Sequence, residues 1–78
     1  MPLKDLVLTI ARALVDDPDA VEVREIDGDH NSVMELRVAK NDVGKVIGRD
    51  GRTAQSMRTI LTAAASKTGR RSHLDIVD

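Results

Sequence analysis

The sequence predicts an α+β fold: a three-stranded sheet with its helices packed on one face, in the order α-β-β-α-α-β. Three observations predict it. An apolar three-and-four rhythm opens the chain, a two-residue alternation fills its middle and returns at its end, and a helical rhythm interrupted by glycines lies between them. Each segment has only one apolar face, and a two-layer sandwich buries such faces together.

The first rhythm runs through Leu3, Leu6, Val7, Ile10, Ala11 and Leu14, with Lys4, Asp5, Thr9 and Arg12 opposite, so it predicts an amphipathic helix. Pro2 suits its first turn. Pro18 is expected to stop it and to push Asp17 out of helical geometry. Val21 and Val23 then alternate with Glu22 and Arg24, and Ile26 falls out of phase, which predicts a half-buried strand with an irregular end. The cluster Asp27-Gly28-Asp29-His30-Asn31-Ser32 predicts a turn, and the alternation of Met34, Leu36 and Val38 with Glu35 and Arg37 completes a hairpin. Val43, Val46 and Ile47 form a short helical face, with Asn41 or Asp42 as its cap. From Gly51 to Thr68 the chain is rich in helix formers. Ala54, Met57, Ile60, Leu61, Ala64 and Ala65 make a broad apolar band that ends at Gly69. Leu74 and Ile76, alternating with His73, Asp75 and Val77, predict a terminal strand.

At 78 residues the chain is expected to form one domain, residues 1–78. A domain of this size buries only about 60% of its unfolded surface, so a partner can add appreciably to its stability. With no cysteine there is neither a disulfide framework nor a thiolate metal site. His30 and His73 lie far apart without carboxylates at ligand spacing, so they read as ordinary surface or strand residues, and neither a metal nor a cofactor is expected. No bilayer-length apolar run or secretory signal is present, which predicts a cytoplasmic protein. The net charge of −1 hides a segregation. Residues 1–39 carry four basic and nine acidic residues, and residues 40–71 carry eight basic against Asp42 and Asp50 alone. The last seven residues add two acids. Such a chain offers one positive surface to phosphates while staying near neutral overall.

That positive segment contains Lys45-Val46-Ile47-Gly48-Arg49-Asp50-Gly51-Arg52, which joins the two predicted helices through two glycines. Gly48 and Gly51 allow a sharp turn and close approach of a ligand backbone. The helix that starts there presents unpaired amides and a positive dipole end. Arg49 and Arg52 supply charge for phosphates, and Lys45 adds to it if it faces the same side. Ile47 lines either the groove or the core. Asp50 places a carboxylate inside the loop, repelling phosphate by about what one arginine adds. Just before a helix, it is expected to cap the amides of Arg52 or Thr53. Lys40, Arg58, Arg70 and Arg71 are peripheral candidates whose side of the fold the sequence leaves open.

The apolar-apolar-Gly-x-x-Gly-basic run Val46-Ile47-Gly48-Arg49-Asp50-Gly51-Arg52 resembles the signature of KH domains, whose GxxG loop clamps about four nucleotides of single-stranded nucleic acid. The element order resembles the type II form. Over nearly the whole chain, length and N-terminal helix resemble the small stand-alone bacterial KH proteins of the KhpA family. The resemblance implies binding of single-stranded RNA through Gly48, Arg49, Asp50, Gly51, Arg52, Lys45 and Ile47, with low sequence specificity, as an RNA chaperone or post-transcriptional regulator. It also implies association with itself or with a longer Jag-type KH protein. Zero aromatic residues disfavour RRM sheets and most OB grooves, which stack bases on aromatic platforms, and predict modest, salt-dependent affinity. The flanking hairpin and last strand argue against a DNA helix-turn-helix.

The alternative function is a protein-interaction or dimerisation module, motivated by Ala63, Ala64 and Ala65 beside Ile60 and Leu61 on the longest helix. An enzyme is disfavoured: the chain has no Ser-His-Asp or Cys-His set, is short for a substrate cleft, and carries its carboxylates on turns and exposed faces.

Overall fold

The computed structural model describes residues 2–77; Met1 and Asp78, included in the domain span and charge balance above, lie outside them. Helix α1 covers Leu3–Leu14, strands β1 and β2 cover Glu22–Asp27 and Asn31–Arg37, the short α2 covers Val43–Ile47, α3 covers Arg52–Ser66 and β3 covers Arg71–Ile76. The order is α-β-β-α-α-β, as the periodicities require. In the sheet β2 is central, antiparallel to β1 and parallel to β3.

The helices cover one face. Val23 of β1, Met34 and Leu36 of β2 and Leu74 of β3 point inward onto Val7 and Ala11 of α1, Val46 of α2, and Met57 and Leu61 of α3. Ser32 and Ser72, register partners on the same inner face, bond Oγ to Oγ at 3.3 Å, so neither hydroxyl is left unsatisfied in the core. The outer face carries charges in cross-strand register, Glu22 opposite Arg37 and Arg24 opposite Glu35.

Several expectations are corrected. The helix α1 ends at Leu14, before proline can act, with Val15 already extended. The Asp16 and Asp17 amides, which further helix would consume, go instead to the Asp42 carboxylate at 3.2 and 3.1 Å. Asp42 therefore pins the end of α1 and makes no side-chain cap on α2. Ile26 marks no irregularity: it pairs with Val33 in unbroken register and points to the outer face, 46% exposed. The hairpin turn is narrower than its six-residue cluster, because Asp27 pairs with Ser32 and the Gly28 amide bonds the Asn31 carbonyl at 2.7 Å. Leu8, outside the anticipated stripe, packs against the core, whereas Leu14 is exposed.

Helix α3 stops in a Schellman closure. Gly69 takes φ +71°, its amide bonds Ser66 O and the Arg70 amide bonds Ala65 O, each at 3.1 Å. This delivers the Arg70 guanidinium to Asp27, with which it forms an ion pair that ties the end of α3 to the hairpin.

Candidate nucleic-acid interface

Helix α2 is a single anchored turn. Val46 is fully buried, and its neighbour Ile47 is 39% exposed on the solvent side. Of the two places left open for Ile47, its exposure excludes the core. Gly48 ends α2 with its amide on Gly44 O at 2.9 Å and its backbone at φ 77°, ψ 172°, a region essentially reserved for glycine. A β-carbon at Gly48 would lie 2.1 Å from Thr53 Oγ1 and 2.8 Å from Thr53 N, so α3 packs directly on this backbone.

The next residues form a tight turn. Asp50 (φ 57°, ψ 24°) and Gly51 (φ 74°, ψ 12°) are both left-handed, and the Arg52 amide donates to Arg49 O, which is the geometry of a type I′ turn built on Asp-Gly. Gly51 N also bonds Gly48 O at 3.1 Å. These closures use the amides of Gly48, Gly51 and Arg52 and leave those of Arg49 and Asp50 outside them. The anticipated cap is absent, because Asp50 makes no side-chain hydrogen bond to the start of α3. Its role is conformational: aspartate is one of the few non-glycine residues that enter left-handed geometry readily. Space at Gly51 is open, with no atom within 4 Å of a β-carbon built there.

The cations separate into two groups. Arg49 and Arg52 are exposed and form no ion pair among the described residues. Lys45 instead lies between Asp16 at 3.1 Å and Asp42 at 3.2 Å. Burial works against the ionised form of Asp42, yet the Asp16 and Asp17 amides and the Lys45 ammonium outweigh it, holding the carboxyl below its ordinary 3.8. Hydrogen bonds to Asp16 and then Asp42 hold the Lys45 ammonium above its ordinary 10.5. Of the peripheral candidates, Arg70 is spent on Asp27, Arg58 donates from Nε to Leu74 O at 3.3 Å, and Arg71 lies on the outer face of the sheet. Lys40 is exposed at the turn before α2. Sequence reasoning missed Thr53 and the clamp made by Asp42. Neither carries a local signal, since their partners become neighbours only once the loop turns and α1 meets α2.

Comparison with known proteins gives nearly the whole chain a family. A family model described as KhpA/KhpB, KH domain, matches residues 4–76. The chain belongs to the KhpA/KhpB family of KH domains. Among its KhpA relatives, a protein named RNA-binding protein KhpA from Caldanaerobacter subterraneus subsp. tengcongensis is 55% identical over 94% of this chain and 97% of its own length. Proteins of the same name from Halalkalibacterium halodurans and Aquifex aeolicus are 53% and 50% identical, covering 97% of this chain and 100% and 96% of their own lengths. These KhpA proteins are named for binding, not for a reaction, and the chain is a KH domain and not an enzyme.

Proposed function

We propose that this KH domain binds single-stranded RNA through Gly48–Gly51 and the arginines beside it. The observation that carries the reading is the pairing of two unneutralised guanidinium groups, Arg49 and Arg52, with the open backbone at Gly51. A sugar-phosphate chain can lie against that backbone while the arginines take its phosphates. Relatives that match this chain over nearly their whole length bear the name RNA-binding protein KhpA. Ile47 offers a base an apolar wall. Lys45 contributes indirectly, holding α2 against α1, because its charge is matched by two carboxylates. Asp50 supplies the turn and weakens phosphate binding. With no aromatic stacking surface, affinity falls toward the micromolar range with little sequence preference, which suits an RNA chaperone or post-transcriptional regulator in the cytoplasm.

Fluorescence anisotropy with a labelled single-stranded RNA pool tests the reading. Wild type and Arg49→Asp are compared at low and moderate salt, with circular dichroism to verify folding. Loss of binding in a folded Arg49→Asp is expected. Equal binding by both, or none by the wild type at low salt, would reverse the assignment.

A second reading, association with another copy or with a longer Jag-type KH protein, is favoured by the helix surface left outside the core. Ile60 is 47% exposed and Ala63 is exposed beside it, while Leu61 and Ala65 are buried against the sheet and Ala64 only partly so. Sedimentation at micromolar concentration showing only monomer would count against self-association.

A further inference from the structure

Aspartate precedes glycine twice in the chain, at Asp27-Gly28 and at Asp50-Gly51, and the fold treats the two pairs differently. At the hairpin the Asp27 carboxylate is held by the Arg70 guanidinium, Asp27 is in ladder register with Ser32, and the Gly28 amide is bound to Asn31 O at 2.7 Å. In the loop, Asp50 is exposed, caps no amide and forms no ion pair among the described residues. The Gly51 amide is held by Gly48 O at 3.1 Å, and the space around Gly51 is open. Rotation of the peptide plane between Asp50 and Gly51 converts a type I′ turn to type II′, carrying ψ of Asp50 from 24° to about −120°. There Cβ of an L-aspartate eclipses the next residue's nitrogen, and Cγ can reach it. Glycine accepts the accompanying change of φ, and the bond from Arg52 N to Arg49 O closes both forms of the turn.

We infer that Asp50-Gly51 is a modification site, at which the loop slowly isomerises to an isoaspartyl linkage while Asp27-Gly28 is protected. The Gly51 nitrogen bonds to Asp50 Cγ; its proton and the carboxyl hydroxyl leave as water, giving a five-membered imide. Water then adds to either imide carbonyl. Cleavage between Cγ and nitrogen restores aspartate, whereas cleavage between the main-chain carbonyl carbon of Asp50 and nitrogen routes the backbone through Cγ. Water is lost and regained, so no other reactant is needed. At Asp27 the ion pair holds the side chain and the strand ladder opposes the rotation, so reaction there waits for a larger opening of the structure. The isoaspartyl product lengthens the main chain by a methylene and leaves a carboxylate where the Asp50 carbonyl stood. A turn so altered no longer lays Gly48–Gly51 against a sugar-phosphate chain. That consequence rests on the RNA-binding reading of the loop; the isomerisation itself does not.

The test incubates the full chain in warm, neutral buffer made with oxygen-18 water, natively and in guanidinium chloride. Each passage through the imide leaves an oxygen-18 atom in the product. Lysine-specific cleavage places Asp50 in residues 46–67 and Asp27 in residues 5–40, and electron-transfer fragmentation locates the label and the isoaspartyl linkage. In the native protein Asp50 is expected to take up label about tenfold or more faster than Asp27, and in denaturant the two react at similar rates. Equal native rates, a faster Asp27, or an unlabelled native Asp50 once the denatured chain is labelled would overturn the inference. Anisotropy with the single-stranded RNA pool follows the consequence. Affinity of wild type falls in proportion to its isoaspartyl fraction, whereas Asp50→Gly, which suits the turn and lacks the carboxyl, holds its own starting affinity through the same incubation. Binding that ignores the isoaspartyl fraction overturns the consequence. Fresh wild type that binds no RNA overturns the binding reading, and the isotope result still decides the isomerisation.

Discussion

Gly48 and Gly51 look equivalent in the GxxG run, but their surroundings make opposite demands. At Gly48 a methyl meets the Thr53 backbone as well as its side chain, in a conformation other residues avoid, so Gly48→Ala should cost about 3 kcal/mol or more. At Gly51 only the left-handed angle matters, and Gly51→Asn should cost less than about 1 kcal/mol. Urea midpoints followed by circular dichroism would check both, since the chain lacks tryptophan and tyrosine for fluorescence. Similar losses at the two positions would mean that the packing of Thr53 on Gly48 has been misread. A single-residue prediction for binding follows from counterion release, where each neutralised phosphate of a single strand contributes about −0.7 to the slope of log K against log salt. Arg49→Gln should flatten that slope by roughly this amount, as measured by anisotropy titrations across a salt series.

Among the elements, α2 is too short to hold its own position, with five residues and one buried side chain. Its orientation, and so the aim of the loop, depends on the clamp in which Asp42 takes two amides from the end of α1 and the Lys45 ammonium from α2. Asp42 is depressed in the folded state, so its stabilisation is present above its ordinary 3.8 and is lost as pH falls through the lower folded value. Lys45 is raised, so its share is present below 10.5 and is lost only as pH rises through the higher folded value. Asp42→Asn should therefore be less stable than wild type at neutral pH, with the difference shrinking toward zero well below the ordinary carboxylate value. Thermal melts of both proteins from neutral pH down into the acid range would test this. A constant difference at every pH would assign the effect to packing instead of charge. The helix α3 is held differently, through its buried stripe Ala54, Met57, Leu61 and Ala65 and the backbone closure at Gly69.

Over the whole molecule, a small core without aromatic rings sets a narrow margin. Domains of this length have about 4–12 kcal/mol in total, at about 0.05–0.15 kcal/mol per residue. Leu36 is fully buried on the central strand and belongs to the core to which all three helices contribute side chains. Its truncation to alanine should cost about 3 kcal/mol, a large share of that margin, and lower Tm by roughly 15 °C. A drop of only a few degrees would indicate a core that collapses around the cavity.

The periodicities alone determined the order of the six elements, because each records which side of a segment must leave water, and that requirement is local. The cluster from Asp27 to Ser32 and the glycines at 48 and 51 likewise foretold turns. What the local pattern cannot hold is the identity of distant partners. Ile26 read as an irregularity until the register with Val33 placed it on the outer face. Ile60 read as core until α3 was rotated by its stronger stripe. Asp42 read as a cap until it met the end of α1, 26 residues away. Lys45 and Arg49 were indistinguishable as cations in the sequence, and only the packing of α1 on α2 committed one to carboxylates while leaving the other exposed. Charge type and backbone geometry are written residue by residue, whereas the neutralisation of a charge depends on which segments the tertiary fold brings together.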